Sequence, residues 1–390
     1  MLKYLILVIG SAVFLSCSSQ APVKEKTTGS AEKEPDRGIF EMLCLHTKKE
    51  MKLSYNCSAG AALVMREGRV LYEEYFGATH RGPGAEPVGV SSRFPFYSVS
   101  KGFGCGLLMS LITDNLLALD DPVVKYLPYF TGPGPGEKKF PREKVTIRHL
   151  ASHTSGVAHS RSGEPEAPDN TGRPRFDDVT LEFEPGTGWH YNELGMKILG
   201  AAMEKAAGKP YDRLLKERIL EPLGLETVGY VYPGDDISGV VHSCYGPDST
   251  ALRYTQAPYP GSGLYGSIRD MARYAQLWLD GGKAGGRVIF REGLIREAWK
   301  THIPDPAKVP PLYNYGLMFW LNPELEAAIN AGAAQTVTAI LPEKNMIVLV
   351  GLNQRHGSPG WGRPPIEHGN VARIGLALAD LMDRQRGSAK

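Results

Sequence analysis

The sequence predicts a mixed α/β fold of the α+β kind: an antiparallel sheet built from both chain ends and flanked by helices, with a helical region inserted between its halves. Two observations carry this. Apolar runs paired across tight turns occur near the start and again near the end of the chain, and the stretch between them repeats with helical periodicity. A length of 390 residues suggests two or three domains as a soft prior. A sheet whose halves come from opposite ends argues instead for one body with an insertion.

The first residues stand apart from that body. Lys3 gives an early positive charge, and the apolar run after it is shorter than the ~20 residues that a membrane-spanning helix needs. Residues 1–16 therefore read as a signal peptide. Phe14-Leu15-Ser16-Cys17 is similar to a bacterial lipobox, with Phe14 in place of the usual aliphatic residue. The similarity implies lipidation of Cys17 and an exported, periplasmic, membrane-anchored lipoprotein. Residues 17–40 are polar and charged, as suits a flexible tether. The folded domain is expected over 41–386, its sheet part about 41–97 and 256–386 and its helical part about 98–255.

Within the domain, Ala61 to Arg66 and Arg69 to Phe76 flank Glu67-Gly68 as a hairpin. Ser98 to Leu117 places Phe103, Leu107, Leu108, Leu111, Ile112 and Leu116 on one buried helical stripe. Asp121-Pro122 offers a capping oxygen and a first-turn proline for the next helix. Thr146 caps a short helix that stops by Gly156. Leu194 to Ala207 is a helix closed by Gly208, and Tyr211 to Ile219 is another before Pro222. Asp270 to Leu279 and Val371 to Arg386 add two late helices. Thr336 to Leu341 and Met346 to Leu352 make the second hairpin across Pro342-Glu343-Lys344-Asn345. Thr131 to Pro141 and His159 to Asp178 read as long loops, and loops of the latter length are often lids or binding loops.

Composition narrows the function. Lys+Arg number 44 against 42 Asp+Glu, a formal charge of +2, which gives no bulk attraction to nucleic acid and leaves the lipid anchor as the one expected tie to a membrane. Cys44, Cys57, Cys105 and Cys244 lack zinc-site spacing. An oxidising compartment permits a Cys44–Cys57 bridge, although spacing does not select a pairing, and Cys105 reads as a buried thiol in an apolar helix. The chain has no Gly-x-Ser-x-Gly elbow, no Walker-type loop and no His-Glu-x-x-His. No metal and no cofactor are expected.

The positive signal is Tyr97-Ser98-Val99-Ser100-Lys101. At the start of a helix, Ser98 and Lys101 share a face, so the amine reaches the hydroxyl. A lysine serves as base only if burial or a neighbouring cation keeps part of it neutral. The helix N-terminus also turns free N–H groups toward any oxyanion formed there. Ser30-Ala31-Glu32-Lys33 repeats the pattern inside the tether, so what singles out Ser98 is context: an extended lead-in and an apolar helix behind it.

Together with further segments this motif resembles the serine β-lactamase-related hydrolases, which include class C β-lactamases, D-Ala-D-Ala carboxypeptidases and similar esterases and amidases. The resemblance runs from about Gly60 to Asn353. It includes Leu117 to Val123, Val145 to Gly156, Pro185-Gly186 through Tyr191 and on to Leu225, and Gly261 to Arg273, in order. It implies a β-lactamase/transpeptidase-like fold and a serine hydrolase of the esterase or amidase kind. Ser98 would be the nucleophile that forms an acyl-enzyme, with Lys101 and Tyr191 as general base and acid. It also implies that His149 and His153 are structural.

Two departures bear on the substrate. The family's Tyr-x-Asn becomes Tyr191-Asn192-Glu193, which implies an altered contact to the substrate's amide and a carboxylate that repels acidic substrates. Its Lys-Thr-Gly or His-Thr-Gly falls at Asn330-Ala331-Gly332, immediately before a strand, with Gly332 allowing close backbone approach and the Ala333 N–H joining that of Ser98 as an oxyanion hole. The cation of that motif is missing, which favours a small-molecule ester or amide without an acidic group. A DD-carboxypeptidase or β-lactamase acting on a cell-wall-type substrate held by Arg148, Arg161 or Lys344 is the alternative. A catalytically silent relative that binds a cell-envelope ligand is another.

Overall fold

Seven strands form the sheet that organises the chain: β1 (Ala59–Arg66), β2 (Arg69–Gly77), β3 (Asn314–Tyr315), β4 (Trp320–Asn322), β5 (Ala327–Ala331), β6 (Val337–Leu341) and β7 (Met346–Leu352). Their order is β2-β1-β7-β6-β5-β4-β3, every pair antiparallel. This computed structural model describes residues 57–133, 140–158, 176, 179–246, 249–305, 314–353, 371 and 373. The signal peptide, Cys17, the tether, Cys44, Arg161, nearly all of the 159–178 loop, the centre of the 131–141 loop and the rest of the 371–386 helix lie outside the described residues.

β1 and β7 are buried along their whole length, as apolar runs covered on both faces must be. Gly60 lies opposite Leu352, and Arg66 opposite Met346. The β1–β2 turn puts both Glu67 (φ 52°) and Gly68 (φ 75°) in the left-handed region, matching the twist of a two-residue hairpin. Asn353 locks this junction. Its buried amide oxygen accepts from the Ser58 N–H (3.1 Å) and the Ala59 N–H (3.2 Å), and its nitrogen donates to Ser58 Oγ (2.8 Å) and the His242 carbonyl (2.7 Å). The Cys57 thiol also donates to Asn353 Oδ1, at 3.0 Å.

The helices named below are α1 (Ser100–Thr113), α2 (Ile147–Ala151), α3 (Glu193–Ala207), α4 (Tyr211–Leu215), α5 (Ile268–Leu279) and α6 (Gly293–Ala298). α5 packs on β1, β6 and β7. It starts two residues before the expected Asp270, because Ser267 caps it by accepting from the Asp270 N–H. α1 is buried on every side from Ser100 to Ile112, so the expected single stripe is instead a core helix. Its glycines permit this: a methyl at Gly102 would lie 2.2 Å from Asn330 Oδ1, and one at Gly106 2.4 Å from the Tyr274 hydroxyl.

Three boundaries differ from expectation. α1 stops at Thr113 rather than Leu117, because Asn115 turns left-handed (φ 57°) and the Leu116 N–H bonds back to the Leu111 carbonyl (3.0 Å), a Schellman closure. Asp121-Pro122 opens only a 3-10 turn, Val123–Lys125, and the Asp121 carboxylate binds the Ala118 N–H, Lys125 and Tyr126 instead of capping an α-helix. After α4 the chain widens into a π-helical turn, Lys216–Leu220, before Glu221–Leu223; Pro222 lacks an N–H and its ring crowds the preceding turn.

Candidate active site

The segment that delivers Ser98 is held from two sides. Phe94-Pro95 pairs with Tyr265-Gly266, the Phe96 N–H bonds the Leu264 carbonyl at 2.9 Å, and Thr336 Oγ1 donates to the Pro95 carbonyl at 3.0 Å. Tyr97 then adopts φ 46°, a conformation that costs a residue with a Cβ about 1–2 kcal/mol. Its phenol donates to Ser243 Oγ at 2.9 Å, which helps to hold the turn. Ser98 follows in the 3-10 turn Tyr97–Val99 that leads into α1.

Lys101 lies in the first turn of α1, 1% exposed. Its Nζ is 3.2 Å from Ser98 Oγ and 2.9 Å from the Gly261 carbonyl, and it forms an ion pair with Glu193. Those three acceptors match the three donors of an ammonium. Burial alone would push the amine down, but Glu193 and Tyr191 outweigh it and hold Lys101 above its usual value. The lysine therefore rests charged, contrary to the expectation that burial keeps part of it neutral.

Tyr191 reaches the same point from the start of α3. Its ring centroid lies 4.7 Å from Lys101 Nζ, and its phenol feels the charge of Lys101 directly. Burial raises its pKa; the Lys101 ammonium opposes that and Glu193 adds to it, leaving the phenol above its ordinary value. Tyr259 donates to Glu193 Oε2 at 3.1 Å. Gly261 must be bare for this arrangement, since a methyl there would come within 2.3 Å of Glu193 Oε2.

Asn192 and Asn330 do not face the site as expected. Asn192 is the N-cap of α3, 2% exposed, its oxygen accepting from the Gly195 N–H (2.8 Å) and its nitrogen donating to the Val157 carbonyl (2.7 Å). Neither atom is left for a substrate. Asn330 is buried, donates to the Met318 carbonyl at 2.8 Å, and sits near the end of β5 rather than before a strand. Glu193 is in the site, but its charge is countered by Lys101, so repulsion of acidic substrates is muted.

Gly332 backs onto the nucleophile's lead-in: a methyl there would lie 2.2 Å from the Phe96 carbonyl oxygen. Ala333 follows it and is exposed. Neither the Ser98 N–H nor the Ala333 N–H meets an acceptor among the described residues.

His149 serves α2, its Nδ1 accepting from the Thr146 N–H (3.3 Å) in a capping box, and burial pushes its pKa down. His153 is buried, accepts from the Asn192 N–H (3.2 Å), and packs its ring 4.4 Å from that of Tyr191. Arg148 is committed to Asp120 and Glu297. Lys344 lies beyond the far end of β6, roughly 16 Å along the strand from Thr336 at ~3.3 Å per residue. Neither is placed to hold an acidic substrate at Ser98.

Sequence reasoning missed Tyr259 and the Gly261 carbonyl, and it missed the aromatic wall of Trp189, Tyr315 and Trp320 around Tyr191. The signal for Gly261 was present: Gly261 to Gly266 spells Gly-x-Gly-x-x-Gly ahead of a helix. Here it leads through a two-residue antiparallel strand, not a parallel strand and crossover, so it is no dinucleotide fingerprint. Among the described residues no group of three or more His, Cys, Asp or Glu side chains converges as a metal site would.

The family described as Beta-lactamase matches residues 45–367. Among curated relatives, Esterase EstB of Burkholderia gladioli is 28% identical over 252 residues, 54% of this chain and 63% of that protein. D-alanyl-D-alanine-carboxypeptidase/endopeptidase AmpH of Escherichia coli K12 is 27% identical over 229 residues, 57% of this chain and 58% of that one. The chain thus spans about three fifths of the length of these relatives. Among solved structures, EstCE1, a hydrolase with promiscuous acyltransferase activity, superposes with a TM-score of 0.71 at 20% identity, covering 88% of this chain and 98% of that one. The octameric penicillin-binding protein homologue from Pyrococcus abyssi gives 0.66 at 22% identity, covering 88% and 77%. These likenesses establish a β-lactamase/transpeptidase-like fold.

Proposed function

Because the chain belongs to the Beta-lactamase family, we propose that it is an exported serine hydrolase that opens an ester or amide bond through an acyl-enzyme at Ser98. The observation that carries this reading is the contact of Lys101 Nζ with Ser98 Oγ at 3.2 Å, in a site whose other arm is Tyr191. Ser98 Oγ attacks the carbonyl carbon, and its proton passes to the oxygen of ionised Tyr191. Lys101, kept charged by Glu193, stabilises that tyrosinate. The Tyr191 phenol then returns the proton to the departing oxygen or nitrogen. Water attacks the acyl-enzyme by the same route, which restores Ser98. The Ser98 and Ala333 N–H groups are assigned to the carbonyl oxygen as negative charge develops on it.

Esterase EstB and AmpH bracket the substrate classes: an ester on one side, a D-Ala-D-Ala peptide on the other. The ester reading is favoured because the third motif has no cation, its Asn330 being buried against Met318. A silent binding relative is disfavoured by the retained Ser98, Lys101 and Tyr191. We assign residues 1–16 to export and Cys17 to lipidation.

Intact mass after an activated fluorophosphonate tests the nucleophile: one adduct is expected, and none on Ser98→Ala. An adduct that persists in Ser98→Ala would sink the assignment. A panel of short-chain ester, nitrocefin-type lactam and D-Ala-D-Ala peptide then orders the substrates. Membrane fractionation of wild type beside Cys17→Ser checks the anchor, and a wild-type protein found only in the soluble fraction would refute it.

A further inference from the structure

Tyr191 has a flank that the reaction described above does not use. Its ring lies nearly parallel to that of Trp320, at 8° and 5.8 Å between centroids, and Trp320 in turn meets Trp189 edge-on at 5.8 Å. All three residues are half-buried. Behind them stand Tyr315 and His153, both 1% exposed. Tyr315 contacts Trp189 at 5.8 Å, Trp320 at 4.9 Å and Tyr191 at 6.2 Å, and His153 contacts Tyr191 at 4.4 Å. β4 supplies Trp320 and fixes its backbone by pairing it with Ile329 and Tyr315. The wall is therefore rigid, aromatic and continuous with the catalytic phenol.

Position gives it a role. In the reaction proposed for this site, on which this inference rests, the departing group receives its proton from Tyr191. That atom must come within hydrogen-bond reach of the phenol, so the remainder of the departing group lies along whatever borders Tyr191. We propose that Trp320 and Trp189 form a leaving-group subsite that selects flat, apolar leaving groups: aryl alcohols in esters and aryl amines in amides. Indole faces favour a planar ring over an alkyl chain of similar size, because offset stacking adds to the burial of apolar area. Among the described residues the charged groups of the site, Lys101 and Glu193, pair with each other.

Two acetate esters that differ only in the leaving group provide the test: phenyl acetate and a fluoroalkyl acetate of matched leaving-group acidity. Both pass through one acetyl-enzyme, so any difference in kcat/KM reports acylation and not deacylation. Wild type is expected to prefer the phenyl ester by about tenfold, the size of one aromatic contact. Trp320→Ala is expected to lose that preference, the phenyl ester falling about tenfold further than the alkyl ester, and Trp320→Phe to recover part of it. An equal fall for both esters would reduce Trp320 to a prop for Tyr191 and overturn the proposal, as would an unchanged preference. If wild type neither labels nor turns over either ester, it is the serine hydrolase reading that has failed.

Discussion

Lys101 and Glu193 form an ion pair that is lopsided in exposure: the lysine side chain is 2% exposed and the carboxylate 38%. The glutamate falls where the resemblance implies an asparagine, and it raises the pKa of Lys101 and of Tyr191 alike. Lys101 and Tyr191 are both held above their usual pKa values, so the base form of the site appears only as pH rises. The expected kcat/KM profile climbs through the alkaline range. In Glu193→Gln the burial of Lys101 is no longer opposed by that carboxylate and Tyr191 loses a raising charge, so the climb should move to lower pH. A profile that stays in place would show that Glu193 does not set the base.

The same two groups bind their protons more tightly in the folded chain than in the unfolded one. Their contribution to stability is full below the usual tyrosine and lysine values and is lost as pH climbs through the raised ones. Urea midpoints measured from neutral to strongly alkaline pH should fall, and fall less in Glu193→Gln. Equal slopes would contradict the assignment.

Tyr191→Phe keeps the ring stack with Trp320 and removes only the phenolic oxygen. A general acid–base group is worth about 100- to 10,000-fold, so kcat/KM should fall by that factor with the thermal midpoint nearly unchanged. An activity within a few-fold of wild type would return the base role to Lys101 alone.

Asn192 separates a structural role from a substrate contact. As the N-cap of α3, its replacement by alanine should cost about 1 kcal/mol of stability. The ratio of kcat/KM between ester and amide substrates should stay constant. A changed ratio at unchanged stability would restore the substrate contact implied by the resemblance.

Gly332→Ala places a methyl 2.2 Å from the Phe96 carbonyl, backbone against backbone. Something must shift, at a typical overpacking cost of about 1–3 kcal/mol, and what shifts is the lead-in to Ser98. Loss of fluorophosphonate labelling at a temperature where the variant is still folded is the expected result. Labelling at the wild-type rate would mean that the lead-in does not depend on this approach.

The two hairpins and the end of α3 were legible because each is written locally: Glu67-Gly68 and Pro342 to Asn345 for the turns, Gly208 for the helix end. β5 was not, since Ala327 to Ala331 reads Ala-Ala-Ile-Asn-Ala, with a single β-branched residue, and becomes a strand only through β4 and β6 on either side. Ser98 and Lys101 lie together as their three-residue spacing implies, and Tyr191 stands beside them as the resemblance implies. Tyr259 and Trp320 were not legible. A lone aromatic in a sequence does not say which ring or carboxylate it will meet, and these two reach the site from a loop and from β4.

Asn353 lies 295 positions along the chain from Ser58, the backbone it grips. β7, an inner strand, is thus the last strand of the sheet to be synthesised, and it pairs with the first. High contact order of this kind slows folding, and here it also sets a sequence in time: β1 has only β2 beside it until β7 leaves the ribosome. Without β7 the sheet stays in two separate pieces, the β1–β2 hairpin and the strands from β6 to β3, and only the last strand of the sheet to be made joins them.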